Sequence, residues 1–311
     1  MLTMIHHGNG NRPSRHNYPK KPNCQSSMKL GYNTNGLAHH EPIQALKLLA
    51  EIGYQSVAIT IDHAWLAPTD QHRPEQLKQI QDCLSSYEMD SVIESGARFL
   101  LNPNHKHYPT LIDPQEALAK ERVDYLKYCI DTAVELGSDS VSIWSGRQPE
   151  GMEDQQALDI LGENLTTVVQ HAEHQGIDIG FEPEPDMFID TMKSYERLLE
   201  WIDSPRLRLT LDIGHLFCMG ELPIVDFIQR WKHRLVNVHI EDMRAGVHEH
   251  LMFGEGQIHF PPILQCLMEI GYKGGLHVEL SRHSHNAAVI AKQCFDFLTK
   301  TIDDLPPVSE S

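Results

Sequence analysis

Residues 207–215, LRLTLDIGH, show the unit that decides the fold. A short apolar run ends on one polar residue, Asp212, and the chain then turns into the next segment. Seven similar runs are separated by amphipathic stretches, which is the pattern of βα units around a parallel sheet. The eight predicted strands are MKLGYN (28–33), QSVAIT (55–60), DSVIES (90–95), DSVSIW (139–144), DIGFEP (178–183), LRLTLD (207–212), LVNVHI (235–240) and GGLHVEL (274–280).

The segments between the strands have helical spacing, as in PIQALKLLAEIG (42–53). Glycine follows several of them, as in ELGSD (135–139), where a left-handed residue ends a helix. Eight such units predict a single-domain α/β fold, a closed (β/α)8 TIM barrel over residues 28–305, with a mobile N-terminal tail (1–27) and a C-terminal tail (306–311). An open doubly wound sheet is the competing architecture, but no GxGxxG turn follows the first strand.

Composition limits the classes of function. The formal net charge of −17 argues against binding to nucleic acid or to an anionic membrane surface. Six cysteines without CxxC spacing indicate neither a zinc module nor a disulfide framework, which fits a reducing cytoplasm. The amino-terminal residues lack the apolar core of a signal peptide, and no stretch approaches the ~20 apolar residues of a membrane span. We therefore expect a cytoplasmic protein that acts on a small molecule and that could form a homo-oligomer.

The ends of the last four strands carry acidic and imidazole side chains, namely Glu182, Asp212, His239 and Glu279. In a barrel of this kind the carboxyl ends of the strands form the functional mouth. Any one of these residues could instead cap a helix or pair with an arginine. Together, three converging carboxylates would repel one another unless a cation lay between them. The set favours one divalent metal, with Mn²⁺ as the first choice and Mg²⁺, Co²⁺, Zn²⁺ or Fe²⁺ as alternatives.

Five motifs surround these residues: FEP (181–183), LDIGH (211–215), VHIED (238–242), GEG (254–256) and VEL (278–280). They resemble the sugar phosphate isomerase/epimerase superfamily, the xylose isomerase-like barrels that include ketose 3-epimerases, inosose dehydratase and apurinic endonucleases. The likeness covers about residues 28–305. It implies that the four strand-end residues are the metal ligands and that His215 and Arg244 hold substrate oxygens.

The same resemblance implies catalytic roles for Glu182 and Glu279. In the epimerases, the two glutamates lie on opposite faces of a bound ketose and act as acid and base. The metal grips the carbonyl and an adjacent hydroxyl and stabilises the enediolate that forms when a carbon-bound proton leaves. A further carboxylate follows FEP in the epimerases, and here Glu184 or Asp186 could supply it.

Other residues on the same rim are candidates for substrate contact. His63 ends VAITIDH (57–63) and is either a substrate contact or an ordinary loop residue. Trp144 could stack on a sugar ring or pack in the core. Arg98 could meet a phosphate or pair with Glu94.

Two histidines, His248 and His250, lie just before the GEG turn. The resemblance places them where the endonuclease branch has a DxH pair of metal ligands, so a second metal or a phosphate-binding imidazole pair is one interpretation of these residues. A solvated, histidine-rich loop is the alternative in a chain with 20 histidines. The endonuclease branch also needs histidines after strands three and four, where this sequence has Glu94 and Trp144.

Three functions follow from these observations. The first is a metal-dependent isomerase or epimerase that acts on a sugar, sugar phosphate or cyclitol by proton transfer. The second is a lyase or hydrolase at the same site, such as an inosose-type dehydratase or a glycoside-cleaving enzyme. The third, from another class, is a non-catalytic sugar-binding barrel, which the intact set of four ligand candidates disfavours.

Overall fold

A computed structural model describes residues 28–308 of the 311-residue chain. The predicted N-terminal tail, residues 1–27, lies outside the described residues. Residues 306–308 follow the last helix without regular structure, and the remainder of the predicted C-terminal tail lies outside the described part.

Eight parallel strands close into one barrel, which confirms the predicted (β/α)8 fold. Every predicted strand is present, with ends that differ by at most two residues. The barrel strands are β1 Lys29–Asn33, β2 Ser56–Thr60, β3 Asp90–Glu94, β4 Ser140–Ile143, β5 Asp178–Phe181, β6 Leu207–Asp212, β7 Leu235–Ile240 and β10 Gly275–Val278. Hydrogen bonding joins neighbouring strands around the ring in the order β1, β10, β7, β6, β5, β4, β3 and β2.

Helices cover the outside of the barrel. Their ends follow local chemistry: Glu41 accepts from the backbone N–H groups of Ile43 and Gln44 at the start of α1, and Gly137 ends α3 in the left-handed conformation. The helices are α1 Pro42–Ile52, α2 Arg73–Tyr87, α3 Glu116–Leu136, α4 Asp154–Gln175, α5 Met192–Trp201, α6 Ile213–Cys218, α7 Ile224–Trp231, α8 Phe260–Glu269 and α9 Ala287–Asp303. Short 3₁₀ helices span Thr34–Leu37 and Ser281–Asn286.

A two-stranded antiparallel hairpin, β8 Asp242–Arg244 and β9 Val247–Leu251, follows β7 and was not predicted. Asp242 holds it in place: its carboxylate accepts from the backbone N–H groups of Met243, Gly254, Gly256 and Ile258 at 2.9–3.0 Å. A Cβ atom at Gly256 would lie 2.2 Å from Asp242 Oδ1, so the GEG turn requires glycine at this position. The turn is thereby fixed against the end of β7.

The core lies inside the barrel and between the barrel and its helices. Five cysteines within the described residues, Cys83, Cys129, Cys218, Cys266 and Cys294, are buried free thiols, consistent with the absence of a disulfide framework there. Within residues 28–308, no helix is long and apolar enough to cross a membrane.

Candidate metal centre

Four strand ends bring Glu182, Asp212, His239 and Glu279 together at the mouth, as the sequence predicts. These residues form the acidic cluster. Asp212 and His239 lie in β6 and β7, while Glu182 and Glu279 directly follow β5 and β10, so the four come from four consecutive strands of the ring. One ligand atom from each lies within 4.8 Å of the others. That spacing suits coordination of a single ion.

His239 is at the centre of the acidic cluster. Its Nδ1 lies 2.9 Å from Glu279 Oε2, 3.1 Å from Glu182 Oε1 and 3.8 Å from Asp212 Oδ2. The imidazole is buried, and His239 pairs in register with Asp212 on the neighbouring strand β6. One nitrogen therefore faces three carboxylates from a fixed backbone position.

The two oxygens of Asp212 have different surroundings. Oδ1 accepts from the backbone N–H of His215 at 2.8 Å and so caps α6. Oδ2 is buried and has no hydrogen-bond partner among the described residues. A buried carboxylate oxygen without a partner is costly unless a cation binds it. Together with two further carboxylates and an imidazole, this oxygen makes the donor set fit a divalent metal.

The pKa shifts of the acidic cluster also favour a bound cation. Burial raises the pKa of Glu182 to about 8, although His239 acts in the opposite direction. Burial would also raise the pKa of Glu279, but the nearby imidazoles, chiefly His239, hold it below its usual range. Burial alone would lower the pKa of His239, and the carboxylates, Glu182 foremost, raise it well above its usual range. Three carboxylates share this space only with a positive charge among them, which a protonated imidazole or a metal supplies.

Glu94 supports the acidic cluster from behind, a role that the sequence did not indicate. Glu94 ends β3, directly across the ring from β7, and its Oε1 lies 2.9 Å from His239 Nε2. Asn237 Nδ2 donates to the same oxygen at 3.0 Å. A carboxylate on the far nitrogen of a metal-binding histidine fixes the ring and its tautomer. Glu94 thus holds His239 with Nδ1 toward the mouth.

A second group lies beside the first and consists of His215, His248 and His250, here termed the histidine cluster. His248 and His250 lie two residues apart on β9 and so share one face of the hairpin. His248 Nε2 lies 3.2 Å from His215 Nε2 and 3.3 Å from His250 Nε2. His215 Nε2 is also 3.6 Å from Asp212 Oδ2, so the two clusters adjoin. Burial lowers the pKa of His215 to about 4, which keeps its ring neutral.

Arg98 reaches the acidic cluster through Asn35. Arg98 Nη2 donates to the backbone oxygen of Asn35 at 2.9 Å, and Asn35 Nδ2 donates to Glu279 Oε1 at 2.7 Å. Asp62, rather than Glu94, is the carboxylate near Arg98, with 4.0 Å between Nη1 and Oδ2. Arg98 therefore supports the loop that orients Glu279.

The remaining candidates on the rim differ in their solvent exposure and in their contacts. Trp144 is only 8% exposed, and the guanidinium carbon of Arg122 lies 4.5 Å from its ring centre, so one face of the indole is covered. His63 is exposed in the loop after β2. Arg244 is exposed at the end of β8, where it donates to the backbone oxygen of Glu255 at 3.1 Å.

Of the two carboxylates that follow FEP, Glu184 belongs near the acidic cluster. Burial first, and then the charges of Glu182, Glu279 and Asp212, raise the pKa of Glu184 well above its usual value. Asp186 is exposed, has a positive φ of 69°, and lies 3.6 Å from Arg147. Of the two, Glu184 is the carboxylate whose charge interacts with the acidic cluster, whereas Asp186 lies at the surface.

A model of the xylose isomerase-like TIM barrel family matches residues 46–301. The chain belongs to this family. Its relatives include enzymes with two kinds of activity. Fructoselysine 3-epimerase of Shigella flexneri is 23% identical over 86% of this chain and 96% of that protein. Inosose dehydratase of Clostridium botulinum is 27% identical, but over only 40% of this chain and 48% of that protein.

Solved structures of family members share the barrel. A D-tagatose 3-epimerase-like protein superimposes with a TM-score of 0.74 and 25% identity, covering 89% of this chain and 97% of that one. Similarity to the epimerases therefore extends over nearly the whole chain.

This family member differs from the endonuclease branch on the other side of the mouth. At the ends of β3 and β4, that branch would need metal-binding histidines, whereas this chain has Glu94 and Trp144. Glu94 supports His239, and Trp144 packs against Arg122. Neither side chain is a histidine, so the histidine pattern of that branch is missing at these two strand ends.

Proposed function

We propose that this protein is a metal-dependent epimerase or isomerase of a sugar, sugar phosphate or cyclitol. The observation that carries the proposal is the acidic cluster, with its unpartnered, buried Asp212 oxygen between glutamates from β5 and β10. The near full-length similarity to epimerases supports it, since the match to the dehydratase spans about half of that enzyme.

In this proposal Glu182, Asp212, His239 and Glu279 hold one divalent metal, with Mn²⁺ preferred because three of the four ligands are carboxylates. The metal supplies positive charge where negative charge builds on the substrate oxygens as a carbon-bound proton leaves. Glu279 takes the proton from one face of that carbon, and Glu182 returns a proton from the other. Asn35 orients Glu279 through the 2.7 Å hydrogen bond to Oε1.

The substrate contacts in this proposal come from the rim. His215 lies between the two clusters, with Nδ1 3.6 Å from Glu182 Oε1, and is placed to hold a substrate hydroxyl with Nε2 when no second cation occupies that nitrogen. Arg244, His63 and Arg98 are assigned to the outer part of the substrate, and Trp144, which is 8% exposed, to a limited contact with the sugar.

Exchange of carbon-bound hydrogen tests the proposal. The metal-loaded protein is incubated in D₂O with D-fructose, D-tagatose and D-ribulose, and the recovered sugars are analysed by NMR and mass spectrometry. Deuterium at one carbon of the substrate and of its epimer is the expected result, with none when the protein has been treated with chelator. Loss of water would favour the lyase, and metal-dependent binding without exchange would favour a non-catalytic barrel.

A second cation at the histidine cluster is also proposed. His250 Nδ1 lies 3.0 Å from the backbone oxygen of Glu279, and His215 Nδ1 lies 3.3 Å from that of Pro183. A carbonyl oxygen accepts only, so in each ring Nδ1 carries the hydrogen and Nε2 presents a lone pair. Those lone pairs face His248, and convergent lone pairs bind a metal rather than a phosphate, which needs donors. Metal analysis that finds two ions per chain supports this proposal, and one ion per chain at saturation contradicts it.

A further inference from the structure

We propose that a chain of hydrogen bonds inside the barrel, formed by Ser56, His277, Asn237 and Glu94 and here termed the relay, sets the affinity of the acidic cluster for its metal. The relay would act by fixing the orientation and tautomer of His239. This inference rests on the proposed metal site, and it assigns a positioning role to core residues that touch neither metal nor substrate.

The relay is continuous across the barrel interior. Ser56 Oγ lies 2.9 Å from His277 Nε2, and His277 Nδ1 lies 2.7 Å from Asn237 Oδ1. Asn237 Nδ2 then donates to Glu94 Oε1 at 3.0 Å, and Glu94 Oε1 lies 2.9 Å from His239 Nε2. The relay therefore connects β2, β10, β7 and β3 to the central ligand of the acidic cluster.

The direction of each hydrogen bond follows from one requirement. His239 Nδ1 needs a free lone pair to bind a metal, so Nε2 carries the hydrogen and donates to Glu94. Asn237 Nδ2 donates to that same oxygen, which explains why it lies only 3.0 Å from His239 Nε2. The amide is then oriented with Oδ1 toward His277, which donates from Nδ1 and accepts from Ser56 at Nε2. Each hydrogen bond in the relay then joins one donor to one acceptor, with the hydrogen of His277 on Nδ1 and that of His239 on Nε2.

The barrel makes room for this arrangement. Gly31 on β1 is in register with both His277 and Ser56, and the His277 ring passes over it. A Cβ atom at Gly31 would lie 2.3 Å from His277 Cδ2, and one at Gly275 would lie 2.1 Å from Cε1. Barrel interiors are usually filled by branched aliphatic side chains, and buried polar groups are costly unless fully hydrogen-bonded. If packing were the only purpose, branched aliphatic side chains would fill this space with a smaller loss of stability than two glycines and a fully buried imidazole.

Metal affinity distinguishes a positioning role from a purely structural one. The variants are Asn237→Ala, which breaks the relay next to Glu94, and His277→Leu, which breaks it one bond further away at similar volume. The matched control is Ser91→Ala, because Ser91 makes a buried 2.7 Å hydrogen bond to Ser138 outside the relay. Mn²⁺ affinity is measured by competition with a chelator, well below the melting temperature of each metal-free variant, and the absorption spectrum with Co²⁺ reports ligand geometry.

We expect Asn237→Ala to weaken Mn²⁺ binding by roughly 10–100-fold, the range for loss of a group that supports a metal ligand, and to change the Co²⁺ spectrum. His277→Leu should weaken it in the same direction by a smaller factor, and Ser91→Ala should leave it unchanged. If both relay variants, or the one that folds, lose only stability and keep wild-type Mn²⁺ affinity and Co²⁺ spectrum, the relay has no positioning role, while the metal site stands. Failure of the wild-type protein to bind Mn²⁺ would instead overturn the proposed function, and the relay with it.

Discussion

The acidic cluster and the histidine cluster adjoin each other but are built in different ways. The acidic cluster stands on four barrel strands, and its central imidazole is held from behind by Glu94. The histidine cluster takes two of its three members from the β8–β9 hairpin and the third from α6. Gly246, at the tip of the hairpin, donates to the backbone oxygen of Cys218 at 3.0 Å, so the hairpin rests on the end of α6.

The two constructions suit different kinds of bound metal. Ligands fixed by strands and dominated by carboxylates suit a permanent ion and proton transfer, since their geometry is set by the core. Imidazoles on a hairpin at the rim suit a borderline metal whose site depends on the position of that hairpin. We therefore expect changes in the acidic cluster to lower metal binding and turnover far more than changes in the histidine cluster.

The largest effect is expected for Asp212→Asn. The asparagine oxygen can still accept from the His215 N–H and cap α6, whereas the buried, negatively charged Oδ2 is lost. Metal affinity should fall by more than the roughly 10–100-fold typical of losing a group that only supports a ligand, and turnover should fall with it. Isothermal titration with Mn²⁺ measures the first quantity. An asparagine variant with wild-type affinity would show that Asp212 is only a helix cap.

Glu279→Gln separates metal binding from proton transfer. Glutamine keeps the size and one ligating oxygen but cannot act as the base. Much of the metal should be retained, while turnover on the substrate identified by deuterium exchange falls by ~10²–10⁴-fold. Metal content and rate are measured on one preparation. Near wild-type turnover with a normal metal content would remove the two-glutamate mechanism and favour a hydrolytic one.

Replacing His248 and His250 together with alanine should remove the second ion and leave the first. Asp242 and not these side chains anchors the hairpin, so the barrel should keep its melting temperature within a few degrees of the wild type. The matched control is the double alanine variant of His171 and His174, which lie near the end of α4. Total metal per chain should fall by one equivalent in the first variant alone. Equal metal content in both variants would leave the hairpin histidines as a solvated surface.

Arg244→Ala is expected to have the smallest effect. The side chain is exposed and its hydrogen bond is to the backbone oxygen of Glu255, so stability should change by less than ~0.5 kcal/mol. If Arg244 holds a substrate oxygen, KM should rise by about tenfold, the effect of losing ~1.4 kcal/mol of binding, with kcat unchanged. Steady-state kinetics on the identified substrate test this, and a change in kcat alone would place Arg244 elsewhere in the mechanism.

The sequence predicted the barrel and the acidic cluster for the same physical reason. An apolar strand must end where the chain leaves the core, so the first polar residue after each run marks the mouth, as Asp212 does after LRLTL. The hairpin could not be read in this way. VHEHL is short and polar, and its position depends on four backbone N–H groups that bind Asp242 in the folded chain.

The role of Glu94 was hidden for a related reason. Its position at a strand end is visible in DSVIES, but the contact with His239 crosses the barrel from the strand opposite β7. Contacts across a barrel depend on which side chains are long enough to meet, which the alternation of polar and apolar residues along a strand does not encode. Pairing with Arg98 was therefore one of the alternatives left open for Glu94, and the structure places Asp62 near Arg98 instead.

Anomalous diffraction from crystals grown with Mn²⁺ tests the central claim most directly. We predict a peak at the manganese edge bounded by Glu182, Asp212, His239 and Glu279, with His239 Nδ1 directed at it and Nε2 still hydrogen-bonded to Glu94. A manganese-loaded protein with no peak at that position, or with those four side chains directed to different places, would contradict the proposed metal site.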